Sequence, residues 1–311
     1  MAEGWTDPLT AQQLEQGTRL LRTSDGTRLA VDESGSQDAP VTVVLIHGWT
    51  LTRHTWDRVT DRLPAALGSP VRIVRFDHRG HGDSDPSPEG TATIAQCADD
   101  LAEVIADRVP EGPIVLAGHS MGGMTIMALA ERHPRLLAER VTGVALVATS
   151  SGGLSAPGLR LPDPLARVFN AGERKLRAVL ARSSARRVSP RSGWMRPGLR
   201  WLLFGSDPAA ADVAESADWV AGCHPASFAG FRQSLAEHER GAALAGLPAV
   251  PTVILAGLSD RLCPLPHARR MSERLPEAGF YLYGGAGHML PMERADEVTD
   301  RIADVTRSVP G

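Results

Sequence analysis

Ser120 stands in the run Gly118-His119-Ser120-Met121-Gly122, followed by Gly123. That is G-x-S-x-G, the spacing of a serine presented on a sharp turn between a strand and a helix. A serine hydroxyl is a poor nucleophile at neutral pH unless a base takes its proton, so the chain must also supply a histidine and an acid to orient it. The bare pattern is weak: with Gly near ~0.1 and Ser near ~0.07 of residues, a chain of ~300 yields ~0.2 matches by chance. Its setting gives it weight. Ile114-Val115-Leu116-Ala117, directly before it, reads as a strand. Met121 to Arg132, directly after it, is helical in pattern and stops before His133-Pro134, where proline disfavours continuation.

Of the ten histidines, His288 suits the base best, because it follows the strand-like run Phe280 to Tyr283 in the loop Gly284-Gly285-Ala286-Gly287. Asp260, after another strand-like run, is the acid that would hold the imidazole in the right tautomer; Asp77, in a glycine-rich loop, is its rival. The chain order Ser120, Asp260, His288 matches one known arrangement of such triads. An acyl-transfer site also needs donors for the oxyanion of its tetrahedral intermediate. The backbone N–H groups of Met121 and Trp49 are the candidates, with the Trp49 ring either lining the acyl side of the cleft or simply packing. His47 and His81 belong to loops whose work is backbone placement, and His119 packs beside the turn. His78 and His81 at i, i+3 find no third ligand, so no metal and no cofactor is expected.

These residues need a frame. Thr18 to Arg22 and Thr27 to Val31 read as a hairpin around Ser24-Asp25-Gly26. Compact apolar runs then recur at Val41 to Ile46, Val71 to Phe76, Ile114 to Ala117, Val141 to Val147, Thr252 to Ala256 and Phe280 to Tyr283. Runs this apolar suit the buried strands of a parallel sheet. Between them Ile94 to Val109 and Glu293 to Arg307 are spaced as helices, so the class is α/β. Residues 151–244 break the alternation with Gly, Pro and Ser clusters and helix-like pieces. The expected organisation is therefore a first core part at 1–150, a helical cap or lid at 151–244, and a second core part at 245–311 carrying the acid and the histidine.

Five motifs in order resemble the α/β-hydrolase family: the elbow around Ser120, Leu45-Ile46-His47-Gly48-Trp49, Asp77-His78-Arg79-Gly80-His81-Gly82-Asp83-Ser84, Leu255-Ala256-Gly257-Leu258-Ser259-Asp260, and Gly284-Gly285-Ala286-Gly287-His288. The resemblance covers nearly the whole chain. It implies a mostly parallel eight-stranded sheet flanked by helices, with a cap inserted after the sixth strand. The elbow with its helical cap looks like monoacylglycerol lipases and related carboxylesterases, which implies cleavage of carboxylic esters. Epoxide hydrolases and haloalkane dehalogenases of the family carry an aspartate where Ser120 stands. Carbon–carbon bond hydrolases, thioesterases and cofactor-free haloperoxidases or perhydrolases share the serine, and a catalytically silent ligand-binding member is the reading from another class.

From Arg160 to Arg200 eleven Lys/Arg face two acids, Asp163 and Glu173, a pattern of a solvated helix face or of a weak lipid-surface contact. Trp194, Trp201, Trp219 and Phe228 enrich the same insertion in aromatics in a chain with only 5% of them, and are read as lining a site for an apolar acyl ester. A net charge of −3 gives no reason to expect nucleic acid. Cys97, Cys223 and Cys263 are odd in number and widely spaced, which argues for free thiols in a reducing compartment. With no signal-peptide pattern at Met1 to Asp7, the expected location is cytoplasmic. Nothing in the pattern specifies an oligomeric state.

Overall fold

The computed structural model describes residues 17–154, 175, 179–183 and 185–308. Eight strands form one sheet: Arg19–Arg22 (β1), Arg28–Gly35 (β2), Thr42–Ile46 (β3), Arg72–Phe76 (β4), Ile114–His119 (β5), Val141–Val147 (β6), Thr252–Gly257 (β7) and Gly279–Tyr283 (β8). Their order is β1-β2-β4-β3-β5-β6-β7-β8. β2 pairs antiparallel with β1 on one side and β4 on the other, and all other neighbours are parallel.

The central strands are apolar on both faces because both faces are covered. Val44, Ile46, Leu116, Leu146 and Ile254 enter one core cluster; Val43, Leu45, Val115, Val147 and Leu255, one residue out of phase, enter the other. This is the period-two pattern of a sheet sandwiched between helix layers. Over the first cluster lie Ile94–Arg108 (α2) and Met121–Arg132 (α3); over the second lie Asp57–Leu67 (α1) and Ala295–Arg307 (α9). α2 starts where Thr93 Oγ1 accepts from the Gln96 N–H at 3.1 Å, an N-cap bond of a kind worth roughly 1 kcal/mol. Pro134–Arg140 (α4) follows α3 at once, proline opening it where its missing N–H costs nothing.

β8 is the edge strand, and Leu282 on it is 40% exposed. The terminal helix does not begin at Glu293: a separate helical turn spans Leu290–Glu293, Arg294 interrupts it at φ −136°, ψ 44°, and α9 starts at Ala295.

The chain between β6 and β7 holds, among its described residues, the helices Arg196–Leu203 (α5), Ala210–Gly222 (α6) and Pro225–Ala236 (α7) and one isolated antiparallel bridge between Gly152 and Glu239. Leu265–Arg274 (α8) follows β7. The inserted chain leaves and returns at one place: the Arg240 N–H donates to Ser151 O at 2.8 Å, and His238 Nε2 donates to Ser150 O at 3.0 Å. Much of the basic run between Arg160 and Arg200 lies outside the described residues. The three cysteines are free and buried, and burial pushes the Cys223 thiol up to about 12. Among the described residues no helix is long and apolar enough to cross a membrane.

Asp77, the rival acid, is fully buried at the end of β4 and is ion-paired with Arg53, which also meets Asp32 and Asp83, each at 2.9 Å. Its Oδ1 accepts the Arg53 N–H at 2.7 Å, and its Oδ2 accepts the Asp83 N–H at 2.9 Å. This cluster ties the loop after β3 to the loop after β4. Breaking a buried pair by removing one partner costs roughly 3–5 kcal/mol. Asp77→Asn is expected at the lower end of that range, because Asp32 and Asp83 remain on the guanidinium. Urea denaturation would measure it, with turnover of the folded fraction largely kept; an unchanged midpoint would contradict this account.

Candidate active site

Strain marks the place. Three non-glycine residues with positive φ, Thr50 (64°), Ser120 (54°) and Ala148 (46°), follow the carboxyl ends of β3, β5 and β6, which are adjacent in the sheet. Such conformations cost of order 1–3 kcal/mol each and persist where the surroundings over-determine them; the carboxyl edge of a parallel sheet is where α/β proteins bind ligands. At Ser120 (ψ −117°) the chain turns from β5 into α3. Its N–H donates to Val147 O at 2.9 Å, and its carbonyl accepts from Thr149 Oγ1 at 2.6 Å and from the Gly123 N–H at 3.0 Å. Gly122 lets the start of α3 press on the end of β3, since a Cβ there would meet the carbonyl oxygens of Ile46 and His47.

His288 and Asp260 are brought together. His288 Nδ1 lies 2.8 Å from Asp260 Oδ2, and both residues are buried. Asp260 Oδ1 accepts the N–H groups of Leu262 at 2.8 Å and Cys263 at 2.9 Å. Burial opposes charge on Asp260, but His288 and these two amides outweigh it and hold the carboxyl below its ordinary value. A carboxylate can only accept, so Nδ1 carries the proton and Nε2 keeps the lone pair that a base needs.

Ser120 is joined to this pair through its neighbour. His119 Nε2 donates to the His288 carbonyl at 2.8 Å, and the two rings lie 4.9 Å apart. Among the described residues Ser120 Oγ itself makes no hydrogen bond to His288; catalytic bonds of this kind often tighten only with substrate bound. The Met121 N–H, first of α3, and the Trp49 N–H donate to no other described residue.

A family model described as "Alpha/beta hydrolase family" matches residues 43–301, a span that holds every element of this site. The chain belongs to the alpha/beta hydrolase family.

Within that family the chain is similar to proteins of several kinds. It is 37% identical over 119 residues to the "Probable oxidoreductase EphD" of Mycobacterium tuberculosis, a match covering 38% of this chain but only 19% of that protein's length. It is 26% identical to the "Pimeloyl-[acyl-carrier protein] methyl ester esterase" of Aromatoleum aromaticum, over 85% of this chain and 98% of the relative. It is 28% identical to "Epoxide hydrolase A" of Mycobacterium tuberculosis, over 91% and 95%. Among solved structures, a thermophilic esterase from Thermogutta terrifontis superimposes with a TM-score of 0.71 at 24% identity, covering 93% of this chain and 98% of that one.

The aromatic residues of the alpha/beta hydrolase insertion divide. Phe228 on α7 packs against Trp49 with ring centroids 4.6 Å apart and the planes tilted by 41°. Trp219 on α6 packs against a cluster of Leu51, Leu203, Phe204, Val213, Met289 and Met292, which adjoins the loops of Trp49 and His288. The other two face outward. Trp194 is 72% exposed, with its indole N–H on Ser189 Oγ, and Trp201 is 48% exposed beneath the Arg261 guanidinium. Among the described residues no contact joins either to Ser120, Asp260 or His288.

The sequence reading misses how the supporting histidines work. His47 Nδ1 donates to Gly48 O at 2.7 Å, while its Nε2 accepts the His78 N–H at 3.0 Å. His47 thus holds the peptide that carries the Trp49 N–H. The rings of His47, His78 and His81 pack edge-on to one another. Burial pushes His47 and His78 well below the ordinary imidazole value, His81 to about 4 and His119 to about 3.

Acid should therefore destabilise the fold. Each of these pKa values is lower in the folded chain than in the unfolded one, which therefore binds more protons below about pH 6.5. Stability is complete above that pH and is lost as pH falls toward the folded values. Each histidine contributes on the order of 1.4 kcal/mol per pH unit inside its window, so His81 and His119 alone remove roughly 2–3 kcal/mol between pH 6 and 5. Urea midpoints measured from pH 7.5 to 5 should fall steeply below 6.5; a flat profile down to pH 5 would refute the neutral buried histidines.

Proposed function

We propose that this alpha/beta hydrolase family member is a serine hydrolase that cleaves carboxylic esters through an acyl-enzyme on Ser120. The observation that carries the reading is the buried Asp260–His288 pair, with a bond of 2.8 Å and the imidazole proton on Nδ1, beside a serine held at φ 54° on the elbow between β5 and α3. The whole-length similarity to a methyl ester esterase supports the ester class. Serine at position 120 argues against the aspartate-based chemistry expected of epoxide hydrolases.

In the proposed cycle Ser120 Oγ attacks the carbonyl carbon as His288 Nε2 takes its proton. The oxyanion faces the N–H groups of Met121 and Trp49. Collapse breaks the bond to the alcohol, which leaves with the proton from His288. Water then attacks the acyl-serine with His288 again as base, releasing the acid and free Ser120. The packed Trp49 and Phe228 rings form the apolar acyl-side wall, and the insertion acts as a cap that sets chain-length preference. The basic composition of Arg160 to Arg200 suits a solvated face or a weak lipid-surface contact.

The test pairs fluorophosphonate labelling with a panel of p-nitrophenyl esters, glyceryl esters and thioesters of graded acyl length. Labelling at Ser120 with turnover of a medium-chain ester supports the proposal. Labelling without turnover of any ester or thioester points to the carbon–carbon or perhydrolase alternatives. No labelling points to a silent binding member.

A further inference from the structure

The His288 loop is held from outside the core as well as from within it. Its residues 284–288 leave β8 without secondary structure of their own, so their backbone groups need partners elsewhere. The core provides some, with the Ser259 N–H on Ala286 O at 2.9 Å, His119 Nε2 on His288 O at 2.8 Å and Arg294 on Gly284 O at 2.9 Å; the inserted chain provides the others. Leu203 O, at the end of α5, accepts the N–H groups of both His288 at 2.7 Å and Met289 at 3.2 Å, and the Ser206 N–H donates to Gly285 O at 2.9 Å. The fit is close: a Cβ on Gly287 would lie 2.6 Å from Gly205 N and 2.8 Å from Leu203 O.

Glu293 closes this contact. It ends the helical turn Leu290–Glu293, and the break at Arg294 leaves its side chain out of α9. One carboxylate oxygen accepts the Gly205 N–H of the insertion at 2.7 Å, and the other accepts the Gly287 N–H, next to the base, at 3.0 Å. Both bonds are charge-assisted, hence stronger than neutral ones. The carboxylate is half-buried beside a surface cavity of about 240 Å³ that Ser206, Gly285 and Arg294 also line.

We propose that Glu293 is a positioning residue for His288. Its carboxylate fastens the Ala286–Gly287 peptide to residue 205 of the insertion, so that the imidazole is set by the insertion as well as by Asp260. The insertion is then a fixed part of the catalytic frame at residues 203–206, whatever its remainder does over the substrate. A small error in the placement of a base is costly, since a shift of about 1 Å can remove about a hundredfold in rate.

This inference rests on the acyl-enzyme reading, and the experiment separates the two. Rates of fluorophosphonate labelling, kcat and KM are compared for the intact protein, Glu293→Gln, Glu293→Ala and the control Asp212→Ala. Glutamine keeps the shape but offers one acceptor oxygen for two N–H groups. Asp212, on α6 of the same insertion, anchors it to Arg58 of α1 with bonds of 2.6 and 2.9 Å, and among the described residues its carboxylate has no hydrogen bond to residues 284–293. Glu293→Gln is expected to lower both labelling rate and kcat about tenfold, and Glu293→Ala about a hundredfold, with KM within about threefold. The low-field proton resonance of His288 Nδ1–H should move or broaden in both. Asp212→Ala should lose stability with kcat and that resonance unchanged. If the intact protein labels at Ser120 but Glu293→Gln labels and turns over equally fast, the positioning role is wrong. An equal kcat loss in Asp212→Ala also overturns it, because the effect would then be general loosening. If the intact protein itself does not label, the acyl-enzyme reading has failed instead.

Discussion

Ser120→Ala is expected to lose on the order of 10⁴ to 10⁶ in kcat on the best ester, with the fold intact. The magnitude follows from what remains. Asp260, His288 and the two N–H groups would still bind and polarise a carbonyl, but water would have to replace a fixed nucleophile. The fold survives because Ser120 Oγ donates to no described residue, while the backbone bonds that hold the elbow, to Val147 O and from Thr149 Oγ1, do not involve the hydroxyl. Mass spectrometry after an organophosphate should find the adduct of the unsubstituted protein on Ser120 and none in the variant. An adduct on another serine, or residual turnover above about one per cent, would remove Ser120 from its role.

A companion substitution isolates the strain. Alanine inherits φ 54°, ψ −117° with its Cβ, whereas glycine adopts positive φ freely. Ser120→Gly should therefore be as inactive as Ser120→Ala yet more stable, the relief of roughly 1–3 kcal/mol exceeding the entropic cost of glycine. A serine kept where glycine would be more stable is what a nucleophile elbow requires.

The sheet and the order of the candidate triad were legible in the sequence because each has a local signature. Buried parallel strands are unbroken β-branched runs, and Val41 to Ile46 or Val141 to Val147 could hardly be anything else. Ser120, Asp260 and His288 each sit in a small-residue loop directly after such a run. α1 was missed although Val59, Leu63 and Leu67 bury one face at i, i+4 and i+8, because Pro64 within it reads as a breaker. Glu293 was missed for a different reason. A Glu opening an amphipathic stretch is the ordinary start of a helix, and only the backbone at Arg294, set by tertiary packing, detaches it. The tryptophans show the limit of composition: Trp219 turns into a cluster beside the site and Trp194 out to solvent, a choice made by the packing of the inserted chain that no local pattern encodes.

Asp260→Asn is expected to lower kcat by about 10⁴, and the hydrogen bonds say why. Asp260 Oδ1 takes two backbone N–H groups, from Leu262 and Cys263, while Oδ2 takes His288 Nδ1. An asparagine must keep its carbonyl oxygen on the two N–H groups, since its amide nitrogen there would set donor against donor. The amide nitrogen then faces His288 and can only donate, so Nδ1 must become the acceptor and the ring proton moves to Nε2. In that tautomer the base has no lone pair for the Ser120 proton. The variant should fold, because a neutral amide is buried with its bonds satisfied, and its loss should appear in kcat with KM little changed. Asp77→Asn gives the opposite result, a loss of stability with turnover kept, so the two substitutions together distinguish the acid that orients the base from the acid that ties the loops. Retention of turnover within about tenfold in Asp260→Asn would place the orienting acid elsewhere, and Asp77 would be the first residue to re-examine.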